Sequence, residues 1–158
     1  MLVHTIPPLY DEKSKILILG SFPSVKSRET QFFYGHKQNR FWKVVSDIFN
    51  EECPVTTEEK RAFLLRSNIA VWDVIKECDI EGSADSTIKN VTPNDLSVIL
   101  DNTPVRQIFV NGAAAYKYFT KYNKHLSAIK LPSTSPANAA FSLERLKEEW
   151  KIIKDFTD

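Results

Sequence analysis

The stretch Lys15-Ile16-Leu17-Ile18-Leu19-Gly20 decides the fold of this chain. It is a short, uninterrupted apolar run that ends in a glycine, and Pro23 follows shortly after. Such a run bounded by turn residues is typical of a strand that is buried on both faces, as the strands of parallel sheets are. The sequence therefore predicts a central parallel strand here, with helices covering both of its sides.

Segments further along the chain fit the same architecture. We predict additional strands at 69–75, 107–111 and 128–131, and helices at 40–50, 57–67, 94–101, 113–122 and 143–156. Strands that alternate with helices predict an α/β fold, in this case a three-layer α/β/α sandwich around a mostly parallel four-stranded sheet. Residues 21–39 and 76–93 show little periodicity, so we expect a long functional loop in the first segment and irregular structure in the second.

Length and composition exclude several classes of protein. The 158 residues predict a single domain spanning 1–158. Four scattered glycines cannot form a dinucleotide-binding or phosphate-binding loop. Two cysteines and three histidines show no metal-ligand spacing, so we expect no metal and the reduced thiols of a cytoplasmic protein. No apolar run is long enough for a membrane helix and no secretion signal is visible, so we expect no membrane partner.

Charge is unevenly distributed although the net charge is only +1. Residues 1–43 hold seven Lys/Arg against three Asp/Glu, and residues 102–130 hold five Lys/Arg and no acidic residue. Residues 51–101 between them hold eleven acidic and five basic residues. If folding joins the two basic blocks, they form a surface for a polyanion. The alternative is that these charges solvate ordinary helix faces.

The loops expected at the carboxyl ends of the strands, where α/β sheets bind ligands, are polar but mostly uncharged. Their hydroxyl and amide side chains are Ser21, Ser24, Ser27, Asn39, Asn111, Ser133, Thr134, Ser135 and Asn138. Aromatic residues lie among them, and an aromatic ring beside an amide suits a flat heterocycle, which stacks while the amide reads its edge. The hydroxyls suit phosphate oxygens.

Four strings in this order carry a resemblance to a known family: Leu19-Gly-Ser-Phe-Pro-Ser24, Tyr34-Gly-His-Lys-Gln-Asn-Arg-Phe-Trp42, Asn111-Gly112 and Leu131-Pro-Ser-Thr-Ser-Pro-Ala-Asn138. Over residues 14–153 the chain resembles the uracil-DNA glycosylase superfamily, and in particular its hypoxanthine-DNA (deoxyinosine) glycosylase branch. The resemblance implies an enzyme that flips a deaminated base out of double-stranded DNA and hydrolyses its N-glycosidic bond. It further implies that water is the nucleophile and that no cofactor takes part.

The resemblance also assigns roles to residues. It implies that Asn39 is catalytic. The implied base pocket consists of Gly20, Ser21, Phe22, Pro23, Tyr34 and Asn111, with Tyr34 stacking on the flipped base. The expected DNA-binding residues are Ser24, Lys26, Lys37, Arg40, Pro132, Ser133, Thr134, Ser135 and Asn138.

Two positions depart from the family pattern. Mismatch-type uracil and thymine glycosylases have a water-positioning Asn where this chain has Phe22, which argues against efficient uracil excision. Related enzymes have His or Asn at the position of Leu131, so a polar contact with the base is lost there. Asp73 and Asp85 are candidates for orienting water, or are cap and turn residues.

Alternatives remain at the level of residues and of function. Asn39 lies where a helix N-cap belongs, and Tyr34 is either a core residue or the stacking ring. The expected function is excision of deoxyinosine by a monomeric enzyme. The alternatives are a uracil or xanthine glycosylase of the same superfamily, or a non-catalytic α/β domain that binds phosphate or DNA.

Overall fold

The structure, a computed structural model, describes all residues 1–158. Its strands are β1 (Leu2–Val3), β2 (Ile16–Gly20), β3 (Ile69–Asp73), β4 (Ile75–Asp79), β5 (Lys89–Pro93), β6 (Gln107–Asn111) and β7 (Ile129–Leu131). Its α-helices are α1 (Val25–Thr30), α2 (Phe41–Ile48), α3 (Thr57–Arg66), α4 (Ser97–Leu100), α5 (Ala113–Tyr122) and α6 (Leu143–Trp150). Short 3₁₀ helices span Asp85–Thr87 and Lys151–Phe156.

The main sheet has four strands in the order β3-β2-β6-β7, and all of its neighbouring pairs are parallel. Every residue of β2 and β3 is buried, as expected for strands covered on both faces. The prediction of a mostly parallel four-stranded sheet in an α/β fold is confirmed.

The order of the strands explains the layers. From β2 the chain moves to β3 on one side, whereas from β6 it moves to β7 on the other. Because crossovers between parallel strands are right-handed, these opposite moves place α2 and α3 on one face of the sheet and α5 on the other. Helix α6 packs against α2 and completes the first helical layer. The carboxyl ends of β2 and β6 therefore flank the point where the strand order reverses, which is where such sheets bind ligands.

A second, smaller sheet corrects the prediction that residues 76–93 are irregular. Strands β1, β4 and β5 form an antiparallel sheet in the order β1-β4-β5. The predicted strand 69–75 is in fact divided, because β3 ends at Asp73 and β4 begins at Ile75. Most residues of β4 and β5 are polar, and only Ile75 and Cys78 are buried, so neither strand shows the apolar pattern of a core strand.

Helix α1 corrects the prediction of an uninterrupted loop over 21–39. Ser24 caps it by accepting a hydrogen bond from the Ser27 N–H, and the helix ends at Gln31 in the left-handed region. Only Ser27 of its six residues is buried, so there is no apolar periodicity that would reveal the helix. No helix of the structure is both long enough and apolar enough to cross a membrane.

Candidate active site

A cavity of about 370 Å³ lies at the carboxyl ends of the main strands. It is lined by the ends of β2, β3 and β6, by parts of the segment 21–39, by the loop 133–137, and by Ser83 and Asp85. The predicted residues among its lining are Gly20, Ser21, Phe22, Pro23, Ser24, Tyr34, Asn39, Asn111, Ser133, Thr134 and Ser135. The structure therefore brings the predicted catalytic residue, the whole predicted base pocket and three of the five predicted residues at 132–138 into one cavity.

One wall of this cavity, here called the amide wall, consists of Asn39, Asn111 and Thr134. The Thr134 hydroxyl donates to Oδ1 of Asn39 at 2.8 Å and accepts from Nδ2 of Asn111 at 3.0 Å. The Thr134 N–H donates to Oδ1 of Asn111 at 3.1 Å. A chain of hydrogen bonds thus fixes three uncharged side chains from three separate segments.

The backbone fixes which end of the Asn39 amide faces the cavity. The N–H of Phe41 donates to Oδ1 of Asn39 at 2.9 Å, at the first turn of α2. A backbone N–H can only donate, so this atom must be the amide oxygen. Nδ2 has no partner in the protein and is left as a donor for a ligand. Asn39 therefore serves the first turn of α2 through its oxygen while its nitrogen stays available.

Tyr34 presents an aromatic ring to the cavity. Its ring stacks on Phe41, with 4.0 Å between centroids and 14° between planes. Its backbone has a φ of 50°, in the left-handed region that non-glycine residues rarely adopt, and its carbonyl accepts from the Trp42 indole. Burial raises the pKa of the Tyr34 hydroxyl well above its usual range, and the charge of Asp73 adds to this. The hydroxyl is buried and has no hydrogen-bond partner.

The loop 132–138 is held in shape by its own hydrogen bonds. The Ser133 hydroxyl accepts from the Ser135 N–H, and the Ser135 hydroxyl accepts from the Ala137 N–H. The Asn138 amide donates to the Ser133 carbonyl at 3.0 Å. Both seryl hydroxyls still have a proton to donate to an outside acceptor such as a phosphate oxygen. Pro132 lies at the base of the loop, where its carbonyl accepts from the Trp150 indole.

Two of the predicted DNA-binding residues are instead engaged inside the protein. Thr134 is completely buried and its hydroxyl bonds within the amide wall, so a contact between Thr134 and DNA stays a prediction. The Arg40 guanidinium donates to the carbonyls of Ser135, Asn138 and Phe141 and so clamps the loop 132–138 to the start of α2. The structure therefore gives the Arg40 side chain a role in holding this loop.

The opposite wall, here called the acid wall, carries the carboxylates of Asp73 and Asp85. Asp73 ends β3, and its Oδ2 accepts from Nε2 of His4 at 2.8 Å. Both side chains are nearly inaccessible, with 1% of His4 and 7% of Asp73 exposed. Gly20 is required beside this pair, because a Cβ on it would lie 2.5 Å from Oδ1 of Asp73.

Asp85 lies nearer the mouth of the acid wall. The Ser21 hydroxyl donates to its Oδ1 at 3.0 Å. Asp85 is an exposed residue, but partial desolvation of its carboxyl group raises its pKa. The Ser21 hydrogen bond opposes this rise and the negative charge of Asp73 adds to it. No group of three or more His, Cys, Asp or Glu side chains is arranged to hold a metal ion.

The remaining predicted DNA-binding residues lie around the site. Lys26 on α1 is exposed and lies 3.7 Å from a carboxylate oxygen of Glu29. Lys37 is exposed in the loop before Asn39 and forms no salt bridge within the chain. Ser24 uses its hydroxyl as the cap of α1. A contact between these residues and DNA stays a prediction.

His4 is the residue that sequence reasoning missed entirely. It lies three residues from the start of the chain, in no recognisable motif, and reaches Asp73 because its N–H pairs with the Lys76 carbonyl next to β1. For Asp73 and Asp85 the sequence indicates only a water-orienting residue or a cap or turn residue, and it indicates no partner. The one available signal was a carboxylate directly after a buried strand, at the end where ligands bind.

Known proteins resemble this chain over nearly its whole length. The family model described as the uracil DNA glycosylase superfamily matches residues 7–157. A protein of Methanosarcina acetivorans named hypoxanthine DNA glycosylase is 37% identical over 156 residues, covering 97% of this chain and 98% of the relative. A protein of the same name from Methanosarcina barkeri is 35% identical over 114 residues, covering 71% of this chain and 72% of the relative.

A solved structure agrees with these sequence comparisons. The solution NMR structure of a candidate uracil DNA glycosylase from Methanosarcina acetivorans superposes with a TM-score of 0.81 at 37% identity, covering 94% of each chain. The family match, the curated relatives and the shared fold all point the same way, and the cavity lies where the motifs of the resemblance meet. The chain belongs to the uracil DNA glycosylase superfamily.

Proposed function

We propose that this protein is a DNA glycosylase that hydrolyses the N-glycosidic bond of deoxyinosine in double-stranded DNA. The observation that carries the proposal is the Asn39 amide nitrogen, an unpartnered donor that lines the same cavity as the Tyr34 ring. A cavity of about 370 Å³ is within the range of small-molecule pockets and is large enough for one nucleobase. The relatives named hypoxanthine DNA glycosylase support this choice of base.

The reaction breaks the bond between C1′ of the sugar and N9 of the purine. The electron pair of that bond leaves with the base, water adds its oxygen to C1′, and the water proton is released, so an abasic site remains. Positive charge develops on the sugar and negative charge on the departing base. An amide cannot act as a general base, but Nδ2 of Asn39 can donate to the base as its charge grows, which stabilises the transition state.

The surrounding residues bind and expose the nucleotide. Tyr34 stacks on the base that has left the helix, and Ser133 and Ser135 donate their hydroxyl protons to phosphate oxygens near the mouth of the cavity. Flipping costs least for a poorly paired base, which favours inosine in mispairs. The enzyme acts as a monomer in a reducing, cytoplasmic compartment, where Cys53 and Cys78 stay as free thiols.

The test is an excision assay with labelled duplexes that carry inosine, uracil or xanthine, followed by cleavage of abasic sites with alkali. Strand breaks at inosine, with far fewer at uracil, are the expected result. Breaks mainly at uracil or xanthine would replace inosine by that base as the substrate. DNA binding without any strand break would indicate a non-catalytic DNA-binding domain, and absence of binding would indicate a protein for a phosphorylated metabolite.

A further inference from the structure

The Asp73–His4 pair has no role in the proposed hydrolysis. It joins the end of β3 to the segment after β1, and both side chains are almost wholly removed from solvent. A buried charge is costly unless it is paired, and the pair here satisfies only half of the carboxylate. Since a carboxylate only accepts hydrogen bonds, Nε2 of His4 is the donor and is used up by Oδ2 of Asp73.

The other carboxylate oxygen faces the cavity. Oδ1 of Asp73 has no hydrogen-bond donor in the protein, and it lies against the Cα of Gly20, where there is no side chain to cover it. The side chain of Asp73 is only 7% exposed, whereas Asp85 on the same wall is an exposed residue. Asp73 therefore marks the floor of the cavity and Asp85 marks its mouth.

Depth decides which part of a flipped nucleotide reaches each carboxylate. The sugar stays joined to the DNA backbone and remains at the mouth, so the edge of the base opposite the glycosidic bond enters first. In a purine that edge carries N1 and the substituent at C6. Hypoxanthine has a hydrogen on N1, whereas adenine has a lone pair there. A hydrogen-bond acceptor on the floor of the cavity therefore attracts the N1–H of hypoxanthine and repels the N1 lone pair of adenine.

We propose that Asp73 is the specificity-determining residue of the site, and that its Oδ1 accepts a hydrogen bond from the N1–H of the flipped 6-oxopurine. This inference rests on the proposed function, because it concerns the base that the enzyme excises. Adenine in the same orientation places its N1 lone pair against the carboxylate, so the normal base is rejected. A site built to accept one hydrogen bond discriminates strongly against an analogue that lacks the donor.

His4 is a positioning residue in this arrangement. Its ring lies among Phe22, Phe33 and Trp72, with ring centroids 6.1 to 6.5 Å away, and nearly perpendicular to two of them. This packing holds Nε2 against Oδ2 of Asp73 and leaves Oδ1 as the oxygen directed at the base. The small sheet that contains β1 thus contributes to selectivity without touching the substrate.

The test compares two substrates in two proteins. Single-turnover excision is measured for deoxyinosine and for deoxynebularine, a purine nucleoside with neither N1–H nor O6, in the wild type and in Asp73→Asn. The variant keeps an oxygen for His4 and places an NH₂ where N1–H needs an acceptor. We expect deoxyinosine excision to fall about 10- to 100-fold and deoxynebularine excision to stay unchanged or to rise, because its N1 lone pair can accept a hydrogen bond from the new NH₂. Equal losses for both substrates would overturn the proposal.

Further measurements keep the outcomes separate. If the wild type does not excise deoxyinosine, the proposed function fails; if it does and the ratio is unchanged in Asp73→Asn, only the specificity role fails. Should Asp73→Asn not fold, the wild type is tested with the free bases as inhibitors. Hypoxanthine should then bind at least about tenfold more tightly than unsubstituted purine, and equal binding would overturn the proposal.

Variants of His4 test the positioning role. His4→Gln keeps a side-chain N–H donor and should restore most of the selectivity that His4→Phe loses. Thermal unfolding of both variants monitors the fold. Unchanged selectivity in a folded His4→Phe protein would show that the histidine does not position Asp73.

Discussion

The two walls of the cavity are built in opposite ways. The amide wall joins three neutral side chains that satisfy one another, and only Nδ2 of Asn39 is left over. The acid wall consists of two carboxylates that each depend on a partner from elsewhere in the chain, His4 and Ser21. Neutral polar groups can be buried by pairing among themselves, whereas a buried charge needs a dedicated partner. In the proposed reaction the amide wall stabilises the negative charge that develops on the departing base, and the acid wall recognises the base.

The largest expected effect is on the amide wall. Asn39→Asp preserves an acceptor for the Phe41 N–H and the Thr134 hydroxyl but removes the Nδ2 donor. Excision of deoxyinosine should fall by roughly 100- to 1000-fold, the usual cost of one preorganised donor. DNA affinity, measured by fluorescence anisotropy, should fall much less. The matched variant Asn102→Asp, at a residue that follows α4 and does not line the cavity, should retain full activity. Equal losses of activity and DNA affinity in Asn39→Asp would mean that Asn39 has only a structural role.

Thr134→Val should have the next largest effect, because it removes the hydroxyl that orders the amide wall while keeping the shape of the side chain. The change strips Nδ2 of Asn111 of its acceptor and costs about 1–3 kcal/mol of stability. Asn39 is then less well oriented, so excision should fall about tenfold or more. Chemical denaturation and single-turnover kinetics measure the two effects. Thr103→Val, whose hydroxyl bonds only to the Ile99 carbonyl, is the control and should leave excision unchanged.

A smaller effect distinguishes the two sides of the mouth. Lys37 lies beside the amide wall, whereas Lys89 lies on β5 in the acidic part of the chain. Lys37→Gln should weaken DNA binding several-fold and lower the slope of log affinity against log salt by about 0.9, the value for one phosphate contact. Lys89→Gln should change neither. Similar slopes for both variants would mean that DNA does not favour the amide side.

The smallest effect concerns the ionisation of Asp85. Its pKa is raised in the folded protein, so the folded state disfavours the charged form. As pH rises above about 4, the pKa of an unfolded Asp, the wild type should lose stability relative to Asp85→Asn and then stay lower up to neutral pH. Denaturant midpoints of both proteins at pH values from about 4 to 7 measure this difference.

Asp95→Asn is the control with the opposite sign. Hydrogen bonds from Ser97 lower the pKa of Asp95, so its charged form is favoured in the folded protein. This variant should therefore be less stable than the wild type at neutral pH, and the gap should close as pH falls. If Asp85→Asn behaved in the same way as Asp95→Asn, the carboxyl of Asp85 would not be desolvated at the mouth.

Sequence patterns predicted the main sheet well and the second sheet not at all. Strands β2, β3 and β6 are apolar runs, and burial on both faces leaves a clear pattern in any such strand. Strands β4 and β5 are largely polar, and β1 is only two residues long. Their pairing depends on backbone hydrogen bonds, which cannot be predicted from a side-chain pattern. Helix α1 escaped prediction for the same reason, since it buries one residue.

The amino-acid sequence by itself determined the parallel sheet and the meeting of its loops at the carboxyl ends of the strands. It also supplied the candidates Asn39 and Tyr34. These features could be predicted because apolar periodicity and short motifs depend only on residues that are close together in the sequence. Only the tertiary structure decided that Thr134 is internal, that Arg40 clamps a loop, and that His4 stands behind Asp73. Those contacts join residues 69 to 95 positions apart. Whether a polar side chain meets a ligand or another side chain depends on which distant segment packs against it, and linear order does not contain that information.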